Sequence, residues 1–407
     1  MMSILVRNAS TLLALKPTSI LIEGGNIVEV APDVSAGADT ELDAKGCLVL
    51  PTFIEPHIHL DKVLLSKEFG YSASIGDARE KIRKAKEEFT VNNVRERIRE
   101  IMPRAIEHGV TIIRTHVDVD HQVELKSLHA LNQIRREYSD RVDLQIVAHP
   151  QEGILREEGT EELLFKAIES GADLVGGLPE AEETADSSKQ HLDKVFSIAQ
   201  EKNVDVDVHN DVLPCGKNLE YFISKVVQLR FQGRASSAHN IALAHYPDDY
   251  AAKIIDSVKQ AAVNIVTNPC TMMTSGQHSP PIPRGITRVK ELVQAGVNVT
   301  FGIDNMVDPF NPFGDFDPLR NGWLLAYAGQ LNSPELFNVI PMMVTYNAAI
   351  MLRLSRYGLV KGCKADINIL NTSRIDDALR YGDIPRYVIK NGKVLAENEL
   401  KSVLHPP

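Results

Sequence analysis

The sequence has little of what marks a nucleic-acid-binding, secreted or membrane-spanning protein. Its 407 residues contain no cluster of lysine and arginine and carry a formal net charge of -10. Such a surface offers no electrostatic attraction to nucleic acid or to an anionic membrane. No apolar run reaches the roughly 18 residues of a membrane span, and the N-terminus shows neither a basic leader nor a small-residue cleavage site. These absences favour a small-molecule substrate.

Cysteine is also scarce, and the four cysteines lie far apart without any C-x-x-C spacing. This pattern suggests neither a disulfide framework nor a cysteine metal site, and it predicts reduced thiols in a cytoplasmic protein. The hydrophobic content of 43% is enough for a large core. Composition alone leaves open whether that core forms one large α/β domain or several smaller ones.

What is present is an alternation of short β-branched runs with longer amphipathic stretches. Eight runs can be read: LVLPTFIEPHIHLD, VTIIRTHVDVD, VDLQIVAHPQ, ADLVGGLP, VDVDVHND, RASSAHN, VNIVTNPC and VNVTFGIDN. Between them, apolar residues recur at spacings of three and four and predict helices at 92–108, 161–170 and 192–202. Eight strands alternating with helices predict a TIM-like (β/α)8 barrel of the α/β class.

The two ends of the chain differ from this pattern. Residues 1–50 and 358–407 contain short apolar runs separated by turn signals such as Gly-Gly-Asn and little helix. Neither end has enough apolar content to stand alone. We therefore predict one small β-sandwich domain built from both termini, beside a barrel that spans residues 51–357.

Two histidines stand one residue apart in the stretch EPHIHLDK. Because residues i and i+2 of a strand project to one face, His57 and His59 lie side by side, roughly 6 to 7 Å apart at Cα. The buried run before them places the pair at the C-terminal end of a strand, where barrel enzymes build their sites. Further polar groups follow later strands in the same way, namely His116, His149, Gln151, His209, His239 and Asp304.

Imidazoles and one carboxylate that converge in this way can hold a divalent ion with an open position for water. The ion lowers the pKa of that water toward about 7, which makes such a site hydrolytic. Asp304 could bind the ion and also take a proton from the water. The run ADLVGGLP offers no bridging Glu or Lys, so we expect one metal ion, and the ligand types do not separate Zn from Fe.

The order of His57-x-His59, His209, His239 and Asp304 along the chain resembles the amidohydrolase superfamily. Long segments such as RTHVDVD, DLQIVAHPQEGI and NVTFGIDNMVDPFNPFG are similar to its cytosine deaminase branch. The resemblance covers essentially the whole chain, and it implies a distorted (β/α)8 barrel with a terminal β-sandwich and a homo-oligomer. It also implies that His57, His59, His209 and Asp304 bind the metal, and that His239 orients or polarises the water or the leaving group.

The resemblance further implies a set of substrate contacts. Gln151 would read the amide edge of a pyrimidine-like ring, and His149 stands beside it where the branch has an aromatic residue. Phe310 would stack on the ring, although a place in the core is an equal alternative. His116 matches a position that is usually structural, so it is left out of the metal set.

One departure from the branch concerns proton transfer. Cytosine deaminases have a glutamate three residues after the fifth-strand histidine, where this chain has Val212. A second group of relatives, the N-isopropylammelide amidohydrolases, also lacks that glutamate and has a similar H-x-H-x-D-K segment and D-N pair. Lys62 is therefore a candidate acid/base, with a solvated or salt-bridged loop lysine as the alternative. Asp211 is a second candidate, and Asn305 completes the D-N pair.

These observations predict a metal-dependent hydrolase that removes an exocyclic amino or alkylamino group from a pyrimidine- or triazine-type ring. Two alternatives stay open. One is ring opening of a cyclic amide, and the other is a catalytically lapsed metal-binding homologue, suggested by Val212.

Overall fold

The computed structural model describes residues 3–12, 17–72, 74–274, 285–382, 384–399, 401 and 403–405. Within them, one eight-stranded sheet and two four-stranded sheets account for the named strands. The eight-stranded sheet is entirely parallel and runs in sequence order. Its strands are β6 (Phe53–Ile58), β7 (Val110–Asp118), β8 (Asp143–His149), β9 (Leu174–Gly177), β10 (Asp205–Asn210), β11 (Ala235–His239), β12 (Asn264–Thr267) and β13 (Val299–Phe301). Strands β6 and β7 are buried along their whole length, as parallel strands covered on both faces are.

The seam between the first and last strands closes the sheet into a barrel. The backbone N–H of His59 donates to the Asp304 carbonyl at 2.9 Å, and the Asp304 N–H donates to the His57 carbonyl at 2.8 Å. A Cβ at Gly302 would lie 2.6 Å from Glu55 Oε1 and 2.7 Å from the His57 carbonyl. A residue without a side chain is therefore needed for β13 to approach β6, and the predicted TIM-like barrel is confirmed.

Helices cross over between the barrel strands and continue after β13. They are α1 (Ser66–Phe69), α2 (Ile75–Lys86), α3 (Val91–Glu107), α4 (Lys126–Glu137), α5 (Thr160–Glu169), α6 (Ala185–Lys202), α7 (Asn218–Leu229), α8 (Asp248–Gln260), α9 (Pro269–Thr274), α10 (Val289–Gln294), α11 (Pro318–Ala328), α12 (Pro334–Phe337), α13 (Val339–Met343), α14 (Tyr346–Met351) and α15 (Ile375–Tyr381). Short 3-10 turns lie at 60–62, 179–181 and 241–245. None of the helices in these described residues combines the length and the apolar composition that a bilayer span requires.

The predicted helices match the crossover helices with one exception at a boundary. Helices α3 and α5 each begin and end within one residue of the predictions at 92–108 and 161–170. Helix α6 starts seven residues before the predicted 192, because Thr184 and Ser187 form a capping box ahead of a polar first turn. Hydrophobic periodicity does not report such a turn, since its residues are small or polar and add nothing to the apolar pattern.

Both ends of the chain contribute to the two small sheets. The first has the order β3 (Asn26–Ala31), β2 (Thr18–Glu23), β1 (Ser3–Ala9) and β4 (Thr40–Asp43). The second is antiparallel and has the order β16 (Lys393–Glu397), β15 (Tyr387–Lys390), β14 (Ile367–Ile369) and β5 (Val49–Pro51), so an N-terminal strand pairs with a C-terminal one.

One apolar cluster joins the two small sheets. It contains Ile4 and Ile20 from the first sheet and Val49, Ile367 and Ile389 from the second. This shared core agrees with the predicted composite β-sandwich, while the domain boundaries at 50 and 358 stay a prediction.

Candidate metal centre and substrate pocket

Three histidines and one aspartate converge at the C-terminal end of the barrel, and we call these four residues the cradle: His57, His59, His209 and Asp304. One potential ligand atom from each lies within 4.8 Å of the others, and all four side chains are buried. His59 Nε2 is 3.1 Å from His209 Nε2. Asp304 Oδ1 lies 3.4 Å from Nε2 of both His57 and His59.

These distances and the unpaired atoms of the cradle fit a divalent ion. Four ligands bonded at 2.0–2.1 Å in a tetrahedron lie about 3.3 Å from one another, close to the observed separations. Both ring nitrogens of His57 and Nδ1 of His209 are buried without a hydrogen-bond partner among the described residues. Buried polar atoms are seldom left unpaired, so the cradle has the character of an incomplete coordination shell.

The cradle also has the protonation states that a cation requires. Burial lowers the pKa of His59 and of His209 well below the ordinary value for histidine, which keeps both imidazoles neutral. Burial alone would raise the pKa of Asp304, but the imidazoles of His57 and His59, each 3.4 Å from its Oδ1, outweigh burial and hold that pKa well below its usual range. Neutral imidazoles and an ionised carboxylate are the ligand forms of Zn and of Fe.

Two of the site residues have an uncommon backbone conformation. Asp304 and His239 have φ angles of 66° and 70°, in the left-handed region that non-glycine residues rarely occupy. Such conformations cluster at functional sites because the surrounding structure has to hold them in place. Burial lowers the pKa of His239 to about 4, and Asn268 Nδ2 lies 3.3 Å from its Nδ1.

A pocket opens onto the cradle and gathers most of the predicted substrate and proton-transfer residues. Its wall includes the predicted Lys62, Gln151, His239, Asn305 and Phe310 together with His59, His209 and Asp304. Val212 is also in the wall, so the position of the missing glutamate faces the pocket. Phe310 lines the pocket and also packs against the main core, so its position is compatible with either of its two interpretations.

Lys62 is neither solvated nor free. Its Nζ lies 2.8 Å from Asp118 Oδ1, 3.1 Å from Gln151 Oε1 and 3.2 Å from His59 Nδ1, and its side chain is buried. Asp118 also contacts Lys86 Nζ, which lies 2.5 Å from Asp118 Oδ2. Lys62 is therefore a salt-bridged residue that reaches the pocket at the same time.

We call Lys62, Lys86, Asp118 and Asp120 the ion network. Lys86 Nζ also lies 2.8 Å from Asp120 Oδ2, and all four side chains are buried. Burial opposes the charge on Asp118, but Lys62 and Lys86 outweigh it and hold the pKa of Asp118 well below its usual range. The ion network was not predicted from the sequence, although the alternating acids of RTHVDVD were the available signal.

The expectation for Asp211 is corrected by the structure. Its two carboxylate oxygens accept hydrogen bonds from the backbone N–H groups of Asn218 at 2.7 Å and Leu219 at 3.1 Å, which are the first residues of α7. A left-handed backbone at Asp211, with φ 51°, turns its side chain toward that helix, and Asp211 does not line the pocket. The residue satisfies a helix N-terminus, a common use of aspartate.

His149 is corrected in a similar way. Its ring is buried and lies 4.2 Å from the His209 ring between centroids, outside the pocket wall. It therefore packs against a cradle histidine and does not line the pocket. His116, left out of the metal set, lies 4.2 Å from the His57 ring, and its Nε2 is 3.4 Å from Asp207 Oδ1. His57, His116 and Asp207 could also hold an ion, but this group shares His57 with the cradle.

A loop after β13 carries further residues that the sequence analysis did not single out. Asp308 Oδ2 accepts a hydrogen bond from Asn305 Nδ2 at 2.6 Å, and Asp308 Oδ1 accepts from the backbone N–H of Phe310 at 2.9 Å. Burial raises the pKa of Asp308 to about 7. The loop therefore fixes both Asn305 and Phe310 against the pocket. Arg79 and Met272 also line the pocket and had no distinguishing signal in the sequence.

Comparisons with known proteins identify relatives of this chain. The sequence model of the amidohydrolase family matches residues 40–396. N-isopropylammelide isopropyl amidohydrolase of Pseudomonas sp. (strain ADP) is 29% identical over 93% of this chain and 93% of its own length. Pterin deaminase of Rhizobium rhizogenes is 28% identical over 94% of this chain and 88% of its own length. The crystal structure of 5-methylcytosine deaminase from Klebsiella pneumoniae with 5-fluorocytosine superposes with a TM-score of 0.94 at 30% identity, over 99% of both chains.

Proposed function

The chain belongs to the amidohydrolase family and is a metal-dependent hydrolase of carbon–nitrogen bonds, and we propose that it removes an exocyclic amino or alkylamino group from a nitrogen heterocycle. Relatives named for an alkylated triazine-type compound, a pterin and a methylated cytosine support this substrate class. We include a cytoplasmic location and a homo-oligomeric state in the proposal. The location and the oligomeric state are both inferred from the sequence alone.

The observation that carries the proposal is the pairing of the cradle with complementary amide groups in one pocket. Gln151 Oε1 is occupied by Lys62, which leaves its Nε2 to donate a hydrogen bond. Asn305 Nδ2 is occupied by Asp308, which leaves its Oδ1 to accept one. A donor and an acceptor on the same wall suit the carbonyl and N–H groups at the edge of a pyrimidine- or triazine-type ring.

The cradle would hold one divalent ion, Zn or Fe. When bound, the ion supplies a water molecule whose pKa is lowered toward about 7. Asp304 contacts His57 and His59 through Oδ1, so its Oδ2 is available to take a proton from the nucleophile. His239 faces the same space, and Asn268 orients its ring, so it can polarise the water or the leaving group.

Two further residues complete the proposed chemistry. Lys62 can deliver a proton to the departing amine in place of the glutamate that Val212 replaces, since it reaches the pocket beside Gln151. Phe310 can stack on the heterocycle, whose flat face suits an aromatic side chain.

The test is an assay of purified protein of known metal content on aminopyrimidines, aminotriazines and their N-alkylated analogues. We expect release of ammonia or an alkylamine with the ring intact, detected by amine quantification and mass, and one divalent ion per chain. Ring-opened products would instead support the cyclic amide alternative. A folded preparation that never retains a divalent ion, or that converts no member of the panel, would contradict the proposal.

A further inference from the structure

Arg79 is a cation in the pocket wall that has no hydrogen-bond or ion-pair partner among the described residues. It lies on α2 and lines the pocket together with the apolar side chains of Leu178, Val212 and Phe310. It makes no hydrogen bond or ion pair with any residue that the structure describes, whereas Lys62 in the same wall pairs with Asp118. A guanidinium has five donors, so leaving all of them unpaired is an uncommon arrangement.

The acids that surround Arg79 are already engaged. Glu152 Oε2 pairs with Arg83 at 2.7 Å, and its Oε1 lies 3.3 Å from Lys86. Glu180 Oε2 accepts a hydrogen bond from the backbone N–H of Val212 at 2.9 Å. Burial lowers the pKa of Arg79, so its surroundings disfavour the charged form. Because these two acids already have partners, the Arg79 guanidinium is available to an anionic group of a molecule that enters the pocket.

Helix α2 holds Arg79 in a defined place. Ser74 accepts a hydrogen bond from the Asp77 N–H at the start of the helix, and Ile82 and Ala85 are buried. At its other end the helix is anchored to the strand ends of the barrel by the pairs of Lys86 with Asp118 and Asp120. A guanidinium on an anchored helix loses little further freedom when it binds, which favours tight recognition.

We propose that Arg79 binds an anionic oxygen of the substrate, either an exocyclic carboxylate or an ionised ring oxygen, and so selects negatively charged heterocycles. Its planar fork matches two oxygens or one oxygen with a neighbouring acceptor, and pairing in an apolar wall strengthens the contact. A neutral substrate would leave the half-buried guanidinium without an anionic partner in the pocket. This inference rests on the proposed function, because it assigns a substrate class to the same pocket.

Binding to the metal-loaded enzyme, measured by titration calorimetry, tests the inference without turnover. Orotate probes an exocyclic carboxylate, barbiturate probes a ring oxyanion, and uracil is the matched neutral ring. We expect orotate or barbiturate to bind roughly 10- to 100-fold more tightly than uracil, the range for hydrogen bonds to charged groups. The anion whose affinity exceeds that of uracil identifies which of the two oxygen sources Arg79 recognises.

Variants separate the Arg79 contact from anion binding elsewhere in the site. Arg79→Ala should abolish the preference for the anionic ring over uracil, while Arg79→Lys should retain part of the preference. Lys84→Ala removes an exposed charge from the same helix and should change neither affinity. Equal binding of all three rings by the wild type, or an equal loss for anionic and neutral rings in Arg79→Ala, would overturn the inference.

The outcome is distinguishable from a failure of the proposed function. Turnover of neutral amino-heterocycles without any preference for anions would contradict only the role of Arg79. An anion preference that depends on Arg79, in a protein that converts no amino-heterocycle, would support that role and contradict the proposed reaction.

Discussion

The cradle and the ion network are neighbouring groups of buried polar side chains that differ in how their polar atoms are paired. In the cradle, both ring nitrogens of His57 and Nδ1 of His209 find no hydrogen-bond partner among the described residues. In the ion network, each lysine faces a carboxylate, as in the 2.8 Å pair of Lys62 with Asp118. The two regions meet at Lys62, whose Nζ also lies 3.2 Å from His59 Nδ1.

This difference separates a region built for a ligand from a region built for stability. An unpaired polar group costs free energy in the folded state and persists where a ligand will complete it. A buried ion pair contributes little by itself, but removing one partner strands the other charge. Changes in the cradle should therefore affect activity first, and changes in the ion network should affect stability first.

The largest expected effect comes from Asp304→Asn. Loss of the carboxylate removes a metal ligand and the proposed proton acceptor together, so kcat should fall by about 10⁴-fold or more. Asparagine keeps the side-chain shape and tolerates the left-handed backbone at this position. Urea unfolding of the metal-free protein should stay within about 1 kcal/mol of the wild type. A variant that kept its kcat would remove Asp304 from the mechanism.

Lys86→Met should have the opposite profile. It leaves the buried carboxylates of Asp118 and Asp120 without their shared cation, so the free energy of unfolding should fall by about 3–5 kcal/mol. The matched control is Lys84→Met, an exposed lysine two residues earlier on α2, with an expected change within about 0.5 kcal/mol. Urea midpoints give both values, and equal midpoints for the two variants would refute the structural role of the ion network.

The same variant predicts a change in the pH dependence of stability. The folded-state pKa of Asp118 lies below its unfolded value of about 3.9, so this carboxylate stabilises the fold above that value. The contribution disappears as the pH falls through the folded pKa. Because Lys86→Met removes part of it, the free energies of wild type and variant should converge as the solution is acidified. A constant difference at every pH would show that the effect is not electrostatic.

The cradle could be predicted from the sequence because it depends on two general rules. Strand residues two apart share a face, and the C-terminal ends of parallel barrel strands meet at one rim, so His57, His59 and His209 had to converge. The ion network needed a contact across 34 positions between Asp120 and Lys86. On a helix with many charges, Lys86 has no sequence signal that separates it from exposed lysines such as Lys84.

The direction of side chains at the strand ends also could not be predicted from the sequence. Asp211 and His149 were placed at the correct rim but given the wrong neighbours. At Asp211 a single left-handed residue sends the carboxylate to α7, and at His149 the ring packs on His209. A polar residue after a strand does not reveal its own φ angle, so the sequence cannot distinguish a group that faces the substrate from one that satisfies the next helix.

The smallest expected effect tests that correction. Asp211→Ala removes the acceptor for the N–H groups of Asn218 and Leu219, so the free energy of unfolding should fall by about 1–2 kcal/mol. Asp211→Asn keeps one acceptor oxygen and should lose less. Because the carboxylate does not line the pocket, KM should change less than twofold in both variants. A large rise in KM with unchanged stability would return Asp211 to the substrate, and with it the idea that the end of β10 supplies the missing proton shuttle.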